Sequence, residues 1–251
     1  MKLGLKRAQK KSRCIIFIAW GRNFLQQVSF CIGNSKFISD YDLILITDYD
    51  TDTDEYSHLF SCIIPVDFQM DGLLRKTEAF QNIPKNYRTC LVLDSDTLIL
   101  KDISYGFEVA EEHLISVSPA PHYSLDYFWG FDGIMKQEGI KCDGQLQYNT
   151  GVIFFRNCRK VRQIFRLWRD LALRYKDQYT NDQPFFTLAM LLLGFNPHTL
   201  SISYNYRGFG DSISGVVRIW HSHGKVPEDI NVFDKPWPPR RAWPSKVERP
   251  G

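Results

Sequence analysis

The sequence predicts an α/β fold, a single domain on a largely parallel sheet with helices on its faces. Three observations predict it. Unbroken apolar runs of strand length alternate with stretches of helical apolar spacing. The 251 residues are 44% hydrophobic and 24% charged, with Gly 16 and Pro 12. That suits one large domain, or at most two small ones, and excludes collagen-like, fibrous and disordered chains. Finally, Asp94 and Asp96 interrupt an apolar stretch in the place where open α/β sheets bind ligands, at the carboxyl end of a strand.

Taken in order, Cys14–Ala19 reads as the first strand, and 22–33 as a helix with Leu25, Val28 and Ile32 on one face. Leu43–Thr47 is a second strand, running into the acidic loop 48–55, and Ile63–Val66 a third. Leu73–Phe80 reads as a helix closed by Pro84. Cys90–Leu93 and Thr97–Leu100 are strand-length runs on either side of Asp94-Ser95-Asp96. Beyond them, Leu114–Val117 and Val152–Phe155 are further strands. Residues 159–176 give the clearest helix, with Val161, Ile164, Phe165, Trp168, Leu171, Ala172 and Tyr175 in one stripe and a solvated arginine-rich face opposite. Asp182–Leu193 is a helix with Pro184 in its first turn. Val216–Trp220 is a late strand, and from Pro227 onward an irregular tail is expected. The expected organisation is a basic segment 1–13, a single domain 14–226 and a Pro/Trp/Arg-rich tail 227–251.

A net charge of +3, from 31 Lys+Arg and 28 Asp+Glu, is too balanced to mark a nucleic-acid binder. No apolar run approaches the roughly 20 residues that span a bilayer, and the stretch 14–20 is too short and bulky for a signal peptide. The six cysteines are scattered without C-x-x-C spacing, so neither a zinc framework nor a disulfide scaffold is expected, and a cytoplasmic location is the simplest reading. The basic charge is concentrated at the ends, in Lys2–Arg13 and in Arg240, Arg241, Lys246 and Arg249 around Trp237 and Trp243. That pattern offers a peripheral contact with an anionic membrane, against the alternative of a tail that serves solubility.

Asp-x-Asp occurs five times, at 40/42, 48/50, 50/52, 52/54 and 94/96, so the bare pattern carries little information. The 48–54 series sits in a polar loop and reads as solvated turn residues. Asp94 and Asp96 differ. Carboxylates between buried runs are costly unless a positive charge compensates them, and a hard divalent cation bridging phosphates is the natural occupant. Three more segments point the same way. Tyr148-Asn149-Thr150-Gly151 leads into a strand, with Gly151 permitting close approach to the backbone. Thr180-Asn181-Asp182-Gln183-Pro184 puts a carboxylate and an amide at a helix start, where Asp182 is either a site residue or an N-cap. His221-Ser222-His223-Gly224-Lys225 follows a strand with two imidazoles and an ammonium. The aromatic residues Tyr123, Tyr127, Phe128, Trp129 and Phe131 are either a platform for sugar rings or core packing.

Together these residues resemble a nucleotide-sugar glycosyltransferase of the GT-A fold, most closely family 8, the glycogenin and bacterial lipopolysaccharide galactosyltransferase group. The resemblance runs from about Cys14 to Gly224. It implies a Rossmann-like nucleotide-binding half and a mixed central sheet flanked by helices. It also implies a manganese (or magnesium) ion held by Asp94, Asp96 and His221 against the donor diphosphate, with Asp94 also near the ribose. Lys76 matches a family lysine near the donor, Asn149, Thr150 and Gly151 a segment on the donor sugar, and Asp182 and Gln183 a pair beneath its reacting face. Ala19 and Phe24 lie where the family holds the base. Where the family has a phosphate-binding lysine three residues after its glycine, here Gly224, this chain has Pro227, and Lys225 takes that role in the expectation. The family acid after the metal motif has only Asp126 as a candidate.

The implied reaction transfers a sugar from a nucleoside-diphosphate donor, a UDP-sugar by default, to a hydroxyl of a glycan, lipid-linked or protein acceptor. Retention at the anomeric carbon follows from the resemblance alone. An inverting enzyme would need a general base, for which Asp182 is placed. A haloacid-dehalogenase-type phosphatase also carries Asp-x-Asp after a buried strand, but it expects Thr or Val where Leu98 stands. A catalytically silent sugar-nucleotide-binding protein on the same fold is the other alternative. The intact set Asp94, Asp96, Asn149, Asp182 and His221 argues against it.

Overall fold

The computed structural model describes residues 12–141, 143–207 and 215–221. The chain begins with β1 (Arg13–Ile18), α1 (Gly21–Asn34), β2 (Asp42–Asp48), β3 (Cys62–Val66), α2 (Arg75–Ala79), β4 (Thr89–Leu93) and β5 (Thr97–Ile99). It continues through α3 (Ser104–His113), β6 (Ile115–Ser124), α4 (Asp132–Gln137), β7 (Leu146–Arg156), α5 (Arg159–Tyr175), α6 (Gln183–Leu192), β8 (His198–Thr199) and β9 (Ile219–His221). Lys2–Lys11, Gly224, Lys225, His223 and the tail from Pro227 lie outside the described residues. Arg13, expected in the basic segment, instead opens β1 and pairs with Glu111 at 3.0 Å.

Seven strands form one sheet in the order β3-β2-β1-β4-β7-β6-β8. The first four are parallel, whereas β7 runs antiparallel to both β4 and β6. The sheet is therefore mixed, with a Rossmann-like parallel half. The unbroken apolar runs arise because both faces are covered and successive side chains point to opposite ones. Ile16, Ile44, Val92 and Ile153 face one side, toward α5 and α6. Ile15, Phe17, Leu45, Leu93 and Phe154 face the other, toward α1 and α3.

The helix 159–176 forms as read, and its stripe is buried throughout. Trp168 is its centre. The ring packs on Phe80 and Phe186 at 4.9 Å each, and its Nε1–H donates to the carbonyl of Asp182 at 2.8 Å. The largest buried aromatic side chain thus holds the chain entering α6, and Asp182 with it.

Several elements depart from the expectation. Leu73–Phe80 is not one helix but a 3-10 turn, the short α2 and a second 3-10 turn. Thr97–Leu100 does not join the main sheet: β5 pairs antiparallel with β9 in a two-stranded ribbon. The late strand is Ile219–His221, shifted from 216–220, and Val216 is exposed. Helix α3 was not legible because only Gly106, Phe107, Val109 and Ala110 of its ten residues are buried. It lies on the sheet through Gly106, where a Cβ would stand 2.6 Å from Phe154 Cζ. Gly106→Ala should therefore destabilise the fold by about 1–3 kcal/mol through overpacking. Urea unfolding would read this, and an unchanged midpoint would show that the ring gives way.

Candidate functional site

The strand order reverses direction between β1 and β4, since β2 and β3 lie to one side of β1 and β4 to the other. Ligands of open α/β sheets bind in the crevice at such a switch point, beyond the carboxyl ends of the strands. A cavity of about 280 Å³ lies there. Ala19 and Trp20 follow β1, Phe24 and Gln27 come from α1, and Lys76 comes from α2. Asp94, Ser95 and Asp96 follow β4, Asn149 to Gly151 lie on β7, Asn181 to Gln183 open α6, and His221 ends β9. Each expected site residue among the described ones, Ala19, Phe24, Lys76, Asp94, Asp96, Asn149, Thr150, Gly151, Asp182, Gln183 and His221, lines this cavity.

The acidic turn is held on both sides. The Asp94 N–H donates to Gly151 O at 2.9 Å, continuing the β4–β7 ladder. Its carbonyl accepts the Thr97 hydroxyl at 2.8 Å, and the Ser95 hydroxyl donates to Gln27 Oε1 at 2.8 Å. Because β5 pairs with β9 in the register Thr97↔His221, the imidazole arrives beside the two carboxylates. Nε2 of His221 stands 3.4 Å from Asp96 Oδ1 and 3.7 Å from Asp94 Oδ2. The second separation is too wide for a hydrogen bond. Both are the kind of spacing that ligands sharing one ion at bonds of about 2.0–2.2 Å adopt. One ligand atom from each of Asp94, Asp96 and His221 lies within 4.8 Å of the others. Two carboxylate oxygens and an imidazole form a donor set that suits a divalent cation.

Lys76 is buried and its ammonium bonds Asp94 Oδ1. Burial by itself would lower its pKa, but Asp94, Asp182 and Asp96 outweigh that and hold it above the ordinary lysine value. Asp182 shows the converse. Burial raises its carboxyl pKa, the Lys76 ammonium opposes this, and Asp94 adds to it. The Asp182 side chain does not cap α6. Asn181 Oδ1 accepts the Gln183 N–H at 2.9 Å instead, while Asp182 Oδ2 accepts the Thr150 hydroxyl at 2.9 Å. The N-cap alternative for Asp182 is thereby set aside.

Gly151 is required by close approach rather than by backbone angle, because an added Cβ would stand 2.7 Å from His221 Nδ1. Asp126 is not at the cavity: its carboxylate accepts the Gly144 and Gln145 N–H groups at 3.2 Å each and ties a loop. In the aromatic segment Phe128 and Phe131 are core, whereas Tyr127 and Trp129 are 80% and 75% exposed. Sequence reading missed Trp20, Gln27 and Leu73 in the cavity wall and Asn205 behind it. Ser95 and Asn181 sit inside the motifs around Asp94 and Asp182. The others carry no local signal.

No family model matches the chain, and no curated protein sequence matches it. Solved structures do. Mouse xyloside xylosyltransferase 1 in its apo form aligns with a TM-score of 0.57 at 15% identity, over 86% of this chain and 99% of that one. The galactosyltransferase LgtC, in complex with donor and acceptor sugar analogues, aligns with a TM-score of 0.53 at 12% identity, over 82% of this chain and 86% of that one. The glycosyltransferase GlyE of Streptococcus pneumoniae TIGR4 aligns with a TM-score of 0.52 at 16% identity, over 85% of this chain and 54% of that one. At such identities the likeness is one of fold. The chain has the GT-A glycosyltransferase fold, with the mixed sheet expected of it.

Proposed function

We propose that this chain is a metal-dependent glycosyltransferase that moves a sugar from a nucleoside-diphosphate donor to a hydroxyl acceptor. The observation that carries the reading is the meeting of Asp94, Asp96 and His221 in one cavity with the buried Lys76 and Asp182. A divalent ion held by Asp94, Asp96 and His221 would offset the charge on the departing diphosphate. The remaining work falls to the chain. Trp20 and Phe24, with ring centroids 5.7 Å apart, line the cavity together with Ala19 and would hold the base. Lys76 keeps Asp94 in place and sets a positive charge inside a low-dielectric pocket, where it acts strongly. Asn149 and Thr150 present polar groups from β7 to the donor sugar. Asp182, with Thr150 holding one of its oxygens, and Gln183 face the sugar from the start of α6 and orient its hydroxyls.

Gly224 and Lys225 would complete the diphosphate site from beyond β9, and a UDP-sugar with retention is the default within this reading. The catalytic domain in this assignment is 14–226, flanked by the basic segment and the Pro/Trp/Arg-rich tail. Among the described residues no helix is long and apolar enough to cross a membrane. An acceptor on an anionic lipid surface would be met through the basic ends.

The test is release of nucleoside diphosphate from a panel of nucleotide sugars, with Mn2+ or Mg2+ and with EDTA. Turnover of one donor that EDTA stops is the expected result. Release unaffected by EDTA would overturn the metal dependence. Tight donor binding without turnover across a broad acceptor panel would favour the silent sugar-nucleotide-binding alternative.

A further inference from the structure

We propose that Asn205 is a positioning residue that holds His221 in the Nδ1–H tautomer, so that Nε2 is the atom presented to the cation site of Asp94 and Asp96. This deepens the metal-dependent reading above and rests on it only for the cation.

The inference starts from a backbone amide. The Gly151 N–H can only donate, and it donates to Asn149 Oδ1 at 2.8 Å. That settles which atom of the Asn149 amide is the oxygen, since the flipped group would set donor against donor. Asn205 Nδ2 donates to the same oxygen at 2.7 Å, so the Asn205 amide is oriented too. Its own oxygen is then the atom 2.8 Å from His221 Nδ1. An amide oxygen cannot donate, so Nδ1 must carry the hydrogen. In an imidazole with one hydrogen on Nδ1, Nε2 carries the lone pair. That is the nitrogen facing Asp96 Oδ1 at 3.4 Å and Asp94 Oδ2 at 3.7 Å.

The relay has little freedom to rearrange. Asn149, Asn205 and His221 are all buried, at 4%, 2% and 5% exposure. The His221 ring lies against Gly151, where a Cβ would stand 2.7 Å from Nδ1. The Asn205 N–H donates to Ile202 O at 2.9 Å, and the His221 N–H to Tyr206 O at 2.8 Å, so both backbones are fixed. A hydrogen-bond acceptor behind the far nitrogen is how proteins orient a ligating histidine, and its removal typically costs 10–100-fold in metal affinity. Here the acceptor is a neutral amide whose direction is dictated, through a second amide, by the glycine on which the ring rests.

Two measurements test this. The first is 15N–1H NMR of the histidine rings without metal at alkaline pH, with the His221 signals assigned by their loss in His221→Gln. The Nδ1–H pattern is expected in the wild-type protein. It should be lost in Asn205→Leu. A ring carrying hydrogen on Nε2 in the wild-type protein overturns the proposal, whatever the state of Nδ1. The second is Mn2+ binding in the presence of UDP, read by electron paramagnetic resonance of free Mn2+. Asn205→Leu should weaken it about 10–100-fold. Unchanged affinity in Asn205→Leu overturns the proposal. If Asn205→Leu does not fold, the wild-type spectrum still decides the tautomer. Absence of Mn2+ binding by the wild-type protein would overturn the functional reading instead, and the ring spectra distinguish that failure from failure of the relay.

Discussion

Asp96→Asn is expected to lower metal-dependent donor turnover by roughly 10³-fold or more, the scale on which groups that neutralise a leaving phosphate act. The substitution keeps the shape of the side chain and removes one charge from the set formed with Asp94 and His221. Asp96 makes a cleaner test than Asp94. Asp94 also bonds the Lys76 ammonium, and neutralising it would leave a buried lysine without its closest counter-charge, which is costly in itself. The Asp96 variant should therefore keep its melting temperature within a few degrees while losing its response to added Mn2+. Steady-state turnover against Mn2+ concentration, beside a thermal melt, checks both. Full activity with an unaltered Mn2+ dependence would remove Asp96 from the site.

Asp182→Asn should cut turnover by a factor on the order of 10² or more, as expected for a group that orients or protonates at the reacting centre. The amide can still accept the Thr150 hydroxyl through Oδ1, so the start of α6 should stay in place, held also by Trp168 on the Asp182 carbonyl. What disappears is the negative charge that Lys76 feels within the pocket. Nucleotide affinity, measured by titration calorimetry with UDP and Mn2+, should change only a few-fold, because the role proposed for Asp182 is toward the sugar and not the nucleotide. Loss of thermal stability with normal turnover would instead make Asp182 a purely structural residue.

The strands that are buried on both faces were legible in the sequence, because such strands announce themselves as unbroken apolar runs. Cys14–Ala19, but for its last residue, and Leu43–Thr47, Cys90–Leu93 and Val152–Phe155 all lie in the central sheet. The sequence also marked the chemistry. Carboxylates are rare between buried runs unless something compensates them, and Asp94 and Asp96 stood out on that ground alone. The local motifs around Asn149, Asp182 and His221 could be read, but whether they meet could not. That was decided by two long-range pairings. Antiparallel β7 beside β4 sets Gly151 against Asp94, and the β5–β9 ribbon carries His221 to the acidic turn. Neither leaves a trace in local periodicity, since a strand's pattern records that its faces are covered and not which strand covers its edge. Asn205 was invisible for the same reason. A lone Asn in an irregular stretch has no spacing to betray it, and only the approach of β9 gives its amide a histidine to hold.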